Sequence, residues 1–180
     1  MRTNPFGKLD PFNTLFQHLN GMVLLYDRKP DEAIAQFRRL LSTSPNYIPA
    51  HFWLWHILHY LGKDKDALAE AMVLAPRLDA DGPDVAKALT RGYSEAGYAG
   101  AMRRAVAVLE AHSRSSFPDS FSLANIYVQL GEKSQALKWL EYGFDVGDSN
   151  AIQTLGMPIF DSLRDEPRFQ ALVKRMNLPN

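Results

Sequence analysis

The amino-acid sequence predicts an all-α chain of stacked antiparallel helix hairpins ending in a C-terminal capping helix. Three observations point there. Apolar residues recur at three-and-four spacing in segment after segment, which places them on one face of a helix. Similar stretches return at a fixed interval: Asp31-Glu32-Ala33-Ile34, Lys65-Asp66-Ala67-Leu68 and Ser134-Gln135-Ala136-Leu137 open comparable helices, Ala33 and Ala67 lie 34 residues apart, and Gly62, Gly97 and Gly131 follow at 35 and 34. A period near 34 with a helix on each side of a turn marks repeated two-helix units. No segment alternates at the strand period for long enough to read as a strand.

Taken in order, residues 1 to 11 are turn-rich, with Pro5, Gly7 and Pro11. Leu15, Leu19, Met22, Val23 and Tyr26 then form a helical stripe, and Gly21 leaves room for close approach of a second helix. Pro30 stands where a first helical residue tolerates it, Ala33, Ile34, Phe37, Leu40 and Leu41 share a face, and Pro45 lies just past the end. This first hairpin spans about 12–45. A second, 48–76, is divided by Gly62 and closed by Pro76; a third spans 83–113; a fourth, 118–146, starts at Pro118 and is divided by Gly131. A short segment near Ala151 and a last helix from about Asp165 to Met176 occupy 149–178. The whole chain reads as one domain.

Size and charge bound the function. With 180 residues, 46% of them hydrophobic, the chain can bury a proper core. Its 20 basic and 20 acidic residues cancel, which demotes a duplex nucleic-acid partner, since phosphate binding needs a basic excess. Cysteine is absent, so disulfides and cysteine-ligated metals are excluded. The longest strongly apolar run, Phe52 to Leu61, contains two histidines and falls short of the roughly 20 residues a membrane span needs. With no apolar signal core at the N-terminus, the protein is expected to be soluble and cytoplasmic, with no membrane partner.

Gly21, Ala33, Phe37 and Pro45 fall at the spacing of the Gly, Ala, aromatic and Pro of the tetratricopeptide repeat, a family the first hairpin resembles. The fourth hairpin is similar through Leu123, Ala124, Tyr127, Gly131, Ala136 and Leu140. The stretch from Pro158 to Phe169 is similar to a terminal segment common in bacterial tetratricopeptide proteins whose arrays follow a signalling or transcription-regulating domain. The resemblance covers roughly residues 9–178. It implies a right-handed superhelical solenoid of four hairpins and a capping helix, acting as a non-catalytic protein–protein interaction module in the regulatory C-terminal part of a larger bacterial signalling protein.

Two hairpins depart from the pattern. In the second, Trp55 stands at the Gly position and Ala71 at the aromatic one, an exchange that conserves volume across the two helices. In the third, Thr90 occupies the small site, opposite Met102 and Val106 in one register or Ala101 and Ala105 in the other. Leu9 to Asn13 is similar to a junction between two repeats, so the array is expected to continue upstream. The face carrying Leu15 and Phe16 is then a docking surface, for another segment or for a second copy in a homo-oligomer.

In this family the first helix of each hairpin lines a concave groove. Carried over by register, the resemblance implies a groove formed by His18, Met22 and Tyr26; Phe52, His56, His59 and Tyr60; Lys87, Arg91 and Glu95; and Phe121, Asn125 and Gln129. Aromatic walls suit the apolar anchors of a peptide, and Lys and Arg suit its carboxylates. As an alternative, His56 and His59, three apart on one face, with Tyr60, suggest a small-ligand or metal sensor. Zinc needs three or four ligands, however, and no His-Glu-x-x-His pattern accompanies them, so packing is the default and no metal or cofactor is expected. No nucleophile with a base, no paired carboxylates in a pocket and no phosphate loop is present; Gly97-Tyr98-Ala99-Gly100 reads as a hairpin turn. The chain is therefore expected not to be an enzyme.

Overall fold

A computed structural model describes residues 13–78, 82–112, 120–150 and 155–175, and among these every regular element is helical. The expected junction at residues 9–12, the start at Pro118, the piece near Ala151 and the helix end at Met176 lie outside the described residues. Helix α1 (Thr14–Tyr26) starts at Asn13, whose side-chain oxygen accepts from the N–H groups of Leu15 at 2.9 Å and Phe16 at 3.4 Å. Helix α2 (Pro30–Thr43) starts on Pro30 with Asp31 and Glu32 in its first turn, where the helix dipole favours acid. The next pair is α3 (Ile48–Tyr60) and α4 (Asp64–Leu74), which passes at Pro76 into a 3-10 turn (Ala75–Arg77). Element α5 (Gly82–His112) is two helical arms joined through non-helical backbone at Ala96 and Gly97. Helices α6 (Ser120–Gln129) and α7 (Lys133–Val146) form the last pair, followed by a 3-10 segment (Pro158–Leu163) and α8 (Pro167–Arg175).

One turn geometry repeats. Gly62 and Gly131 have φ of 64° and 75°, and behind them the N–H of Lys63 donates to the Leu58 carbonyl and that of Glu132 to the Tyr127 carbonyl, both at 2.9 Å. The α1–α2 turn does the same with Lys29 N–H on the Leu24 carbonyl, and its positive φ, 60°, falls on Arg28. Left-handed backbone at a helix end satisfies otherwise unpaired carbonyls and favours glycine. With Gly97 at φ 64°, the positive-φ positions inside the helix pairs, 28, 62, 97 and 131, stand 34, 35 and 34 apart, while Gly147, at φ 74°, ends α7. The period extends one unit beyond its glycines.

Within hairpins, small residues let helices approach. A Cβ at Gly21 would lie 2.6 Å from the Phe37 ring, so the fully buried Phe37 rests directly on the α1 backbone. The third hairpin closes on Gly92 and Gly100: a Cβ on either would lie within 2.5 Å of the other's carbonyl oxygen. Thr90 is exposed and bonds to its own helix at the Ala86 carbonyl, while Ala101, Met102, Ala105 and Val106 are all buried. Trp55 and Ala71 are both buried, and Trp55 stacks on His59 with ring centroids 5.7 Å apart.

The hairpins curl onto one another. Helix α2 packs on α3, α4 on α5, and α6 directly on α3, while the 3-10 segment at Pro158–Leu163 packs on α6. Seven consecutive residues of α3, Trp53 to His59, and eight of α6, Ser120 to Tyr127, are buried. Neither helix contains an acidic residue, lysine or arginine, so each can be enclosed without stranding a charge. At the far end Arg28 grips Asp161 with two bonds, 2.5 and 3.1 Å, joining the first hairpin to the 3-10 segment.

Candidate functional site

The expected groove residues separate into three groups. Phe52, His56, Phe121 and Asn125 come together where α3 meets α6. The His56 ring lies 4.3 Å from Phe52 and 4.4 Å from each of Trp55 and Phe121, measured between centroids. The Asn125 side-chain amide donates to His56 Nδ1 at 2.7 Å, so the proton of the neutral ring sits on Nε2, which faces Ser122 Oγ at 3.2 Å. His59 Nδ1 shares a 2.7 Å hydrogen bond with the Tyr98 hydroxyl. Gln129 adds a longer bond, 3.5 Å, from its amide to the Tyr60 carbonyl.

Burial shapes the ionisation of this cluster. It holds His56 well below the ordinary histidine value, with His59 as a second cause, and brings His59 down to about 4. Burial also pushes the Tyr98 phenol far up. All three are neutral at pH 7.

Here the structure departs from the expected groove. His56, His59, Phe121 and Asn125 are enclosed, and Phe160 from the 3-10 segment lies 5.8 Å from Phe121 on the inner side. The chain itself occupies the wall that a peptide was expected to line. The reason is charge-free composition on both contacting helices: apolar faces seek each other before they wait for a partner. Both nitrogens of His56 are engaged, which leaves no lone pair for a metal, and among the described residues no three His, Asp or Glu side chains gather.

A second group stays outside. Lys87 pairs with Asp84 at 3.2 Å, and Arg91 pairs with Glu95 at 2.8 Å, Glu95 being held also by Arg104. Those two guanidiniums keep the Glu95 carboxyl below its usual range. These ion pairs are exposed and satisfied within α5. Lys87, Arg91 and Glu95 therefore form a solvated face rather than a continuation of the α3–α6 wall.

The third group lies on α1. His18 is half-buried between the edges of Phe37 and Tyr47, at 5.8 and 5.7 Å; Met22 packs on the core; Tyr26 is exposed. Beside them runs the largest anomaly of the molecule. Helix α1 contains no charged residue, yet Val23 is 62% exposed, Leu15 57% and Leu19 47%, with Phe16 close behind. Phe16, Leu19 and Val23 stand 34 residues before Ala50, Trp53 and Ile57, all buried in α3, the helix that α2 packs against. The first hairpin thus bares positions that the second hairpin covers.

Sequence reasoning expected an open face at Leu15 and Phe16; the exposed apolar row also includes Leu19 and Val23, which it did not name as part of that face. It missed Ser122 and Tyr98 as histidine partners and Phe160 as the inner plug. The uncharged runs of α1, α3 and α6 carry the signal for enclosure; nothing local marks which run meets which.

The chain matches no family model, no curated protein and no solved structure. Among the described residues no helix is long and apolar enough to cross a membrane.

Proposed function

We propose that this protein is a non-catalytic protein–protein interaction module. It is built from tetratricopeptide-like hairpins, and its docking surface is the outer face of the first hairpin. The period of 34 and 35 residues in the turns and the Gly21–Phe37 interlock support the repeat reading. One observation carries the docking face: α1 is uncharged like α3 and α6, but Leu15, Leu19 and Val23 stand open to solvent. Contiguous exposed apolar surface on a folded chain marks an interaction site. The inner wall of α3 and α6 serves stability, because both nitrogens of His56 are bonded, to Asn125 and Ser122, His59 Nδ1 is bonded to Tyr98, and both rings are enclosed.

A photo-crosslinking side chain placed at Val23 in the full chain tests this in living cells. Discrete crosslinked protein species are expected from Val23 and none from Lys87. Crosslinks confined to Lys87 or to Gln129, with Val23 silent, would move the docking surface elsewhere and end this reading.

A further inference from the structure

We infer that the occupant of the α1 face is the α1 face of a second copy of this chain, the two helices running antiparallel about a two-fold axis. The inference rests on the proposed role of α1 as docking surface and adds the partner and the register.

The spacing of the exposed row is self-complementary. A two-fold axis at residue 21 of both helices sets Phe16 of one copy opposite Tyr26 of the other, and Leu19 opposite Val23, all four exposed in the single chain. An isologous interface needs one patch to match itself, which these pairings supply from both ends of the helix. Charge points the same way. A face without Asp, Glu, Lys or Arg does not repel its own copy, and the chain as a whole has no net charge to oppose association.

The alternative of stacking α1 onto the far end of the next molecule meets a polar surface. Around the exposed Val173, helix α8 presents Arg168 paired with Glu141 at 2.6 Å, and Arg175 paired with Asp145 at the same distance. Docking an apolar row there would desolvate these pairs. The C-terminal end is a polar cap; the N-terminal end is not.

Area sets the strength. Five half-exposed apolar side chains bring roughly 400 Å² per copy, about half of what a standard interface buries per partner, so dimerisation is concentration-dependent rather than permanent.

Light scattering and sedimentation of the full chain from micromolar to millimolar concentration decide the matter. The wild type is expected to pass from monomer to dimer and stop there. Val23→Glu, on an exposed position that leaves the helical circular dichroism intact, is expected to raise the dissociation constant at least tenfold, and Val173→Glu to leave it unchanged. Because the chain has no cysteine, an equimolar mixture of Leu19→Cys and Val23→Cys chains is expected to form disulfide-linked dimers faster than either variant alone. A wild type that stays monomeric overturns the pairing, as does a dimer indifferent to Val23→Glu, or open-ended growth broken by Val173→Glu. A monomer whose Val23 photo-crosslinks a different protein overturns the pairing alone and leaves the interaction module standing.

Discussion

His56 and His59 are the residues whose environment has the sharpest consequence. Both are enclosed and uncharged, their hydrogen bonds going to the neutral partners Asn125, Ser122 and Tyr98. Since burial holds both below the ordinary histidine value, the unfolded chain takes up protons near pH 6 that the folded chain excludes. Stability is therefore full above about pH 6.5 and falls as pH drops toward 4, where His59 itself begins to charge. From His59 alone the loss amounts to about 3 kcal/mol by pH 4. Urea melts at pH 7.5, 6 and 5 are expected to give steadily lower midpoints, with the slope reduced in His59→Gln; a flat profile over that range is incompatible with enclosed neutral rings. Gly21 makes a second test at this scale. Its missing Cβ is the space taken by the Phe37 ring, so Gly21→Ala is expected to cost about 1–3 kcal/mol by overpacking. Combined with Phe37→Leu the cost should be less than the sum of the single changes, which a double-mutant cycle by chemical denaturation measures.

Among the elements, the hairpin turns are the unit of repetition, and they make a prediction that contacts alone would not. Nothing lies within 4 Å of a Cβ built on Gly62, so Gly62→Ala adds no clash and reports backbone strain only, about 1–2 kcal/mol in a denaturation midpoint. At the equivalent Arg28 the change runs the other way. Arg28→Gly relieves left-handed strain and gives up an exposed ion pair of small worth, so its thermal midpoint is expected to hold or rise. A fall comparable to that of Gly62→Ala would mean that the two turns are not equivalent. The helices of these hairpins are readable from the sequence because their signals are local: Pro30 at a helix start, glycines at turns, apolar spacing, acid in the first turns of α2 and α4. The third hairpin is less readable because its close point, Gly92 against Gly100, lies one residue from Ala101, and small residues crowd both registers. The enclosure of His56 is not readable at all from its own helix. It depends on α6, whose Ser122 and Asn125 lie 66 and 69 residues away in the chain and whose uncharged face could equally have lined an open groove.

At the scale of the whole molecule, the question is whether the hairpins behave as a row or as a closed unit. In a row, each unit touches only its neighbours, and damage at one end frays that end. Here α6 reaches back to pack on α3, and in the segment Pro158–Leu163 Asp161 meets Arg28 of the first turn. Phe160 and Phe121 are the apolar hinge of that closure, both fully buried with centroids 5.8 Å apart. Phe160→Ala should therefore cost about 3–5 kcal/mol, the range for emptying a buried phenylalanine site. Where that loss appears is the discriminating measurement. Closure predicts that hydrogen-exchange protection falls in α1 and α2 as well as in α6 and α7, although Phe160 is more than a hundred residues from the first hairpin. Protection lost only from α6 onward, with α1 through α4 unchanged, would describe an open row whose inner contact contributes nothing to the first hairpin.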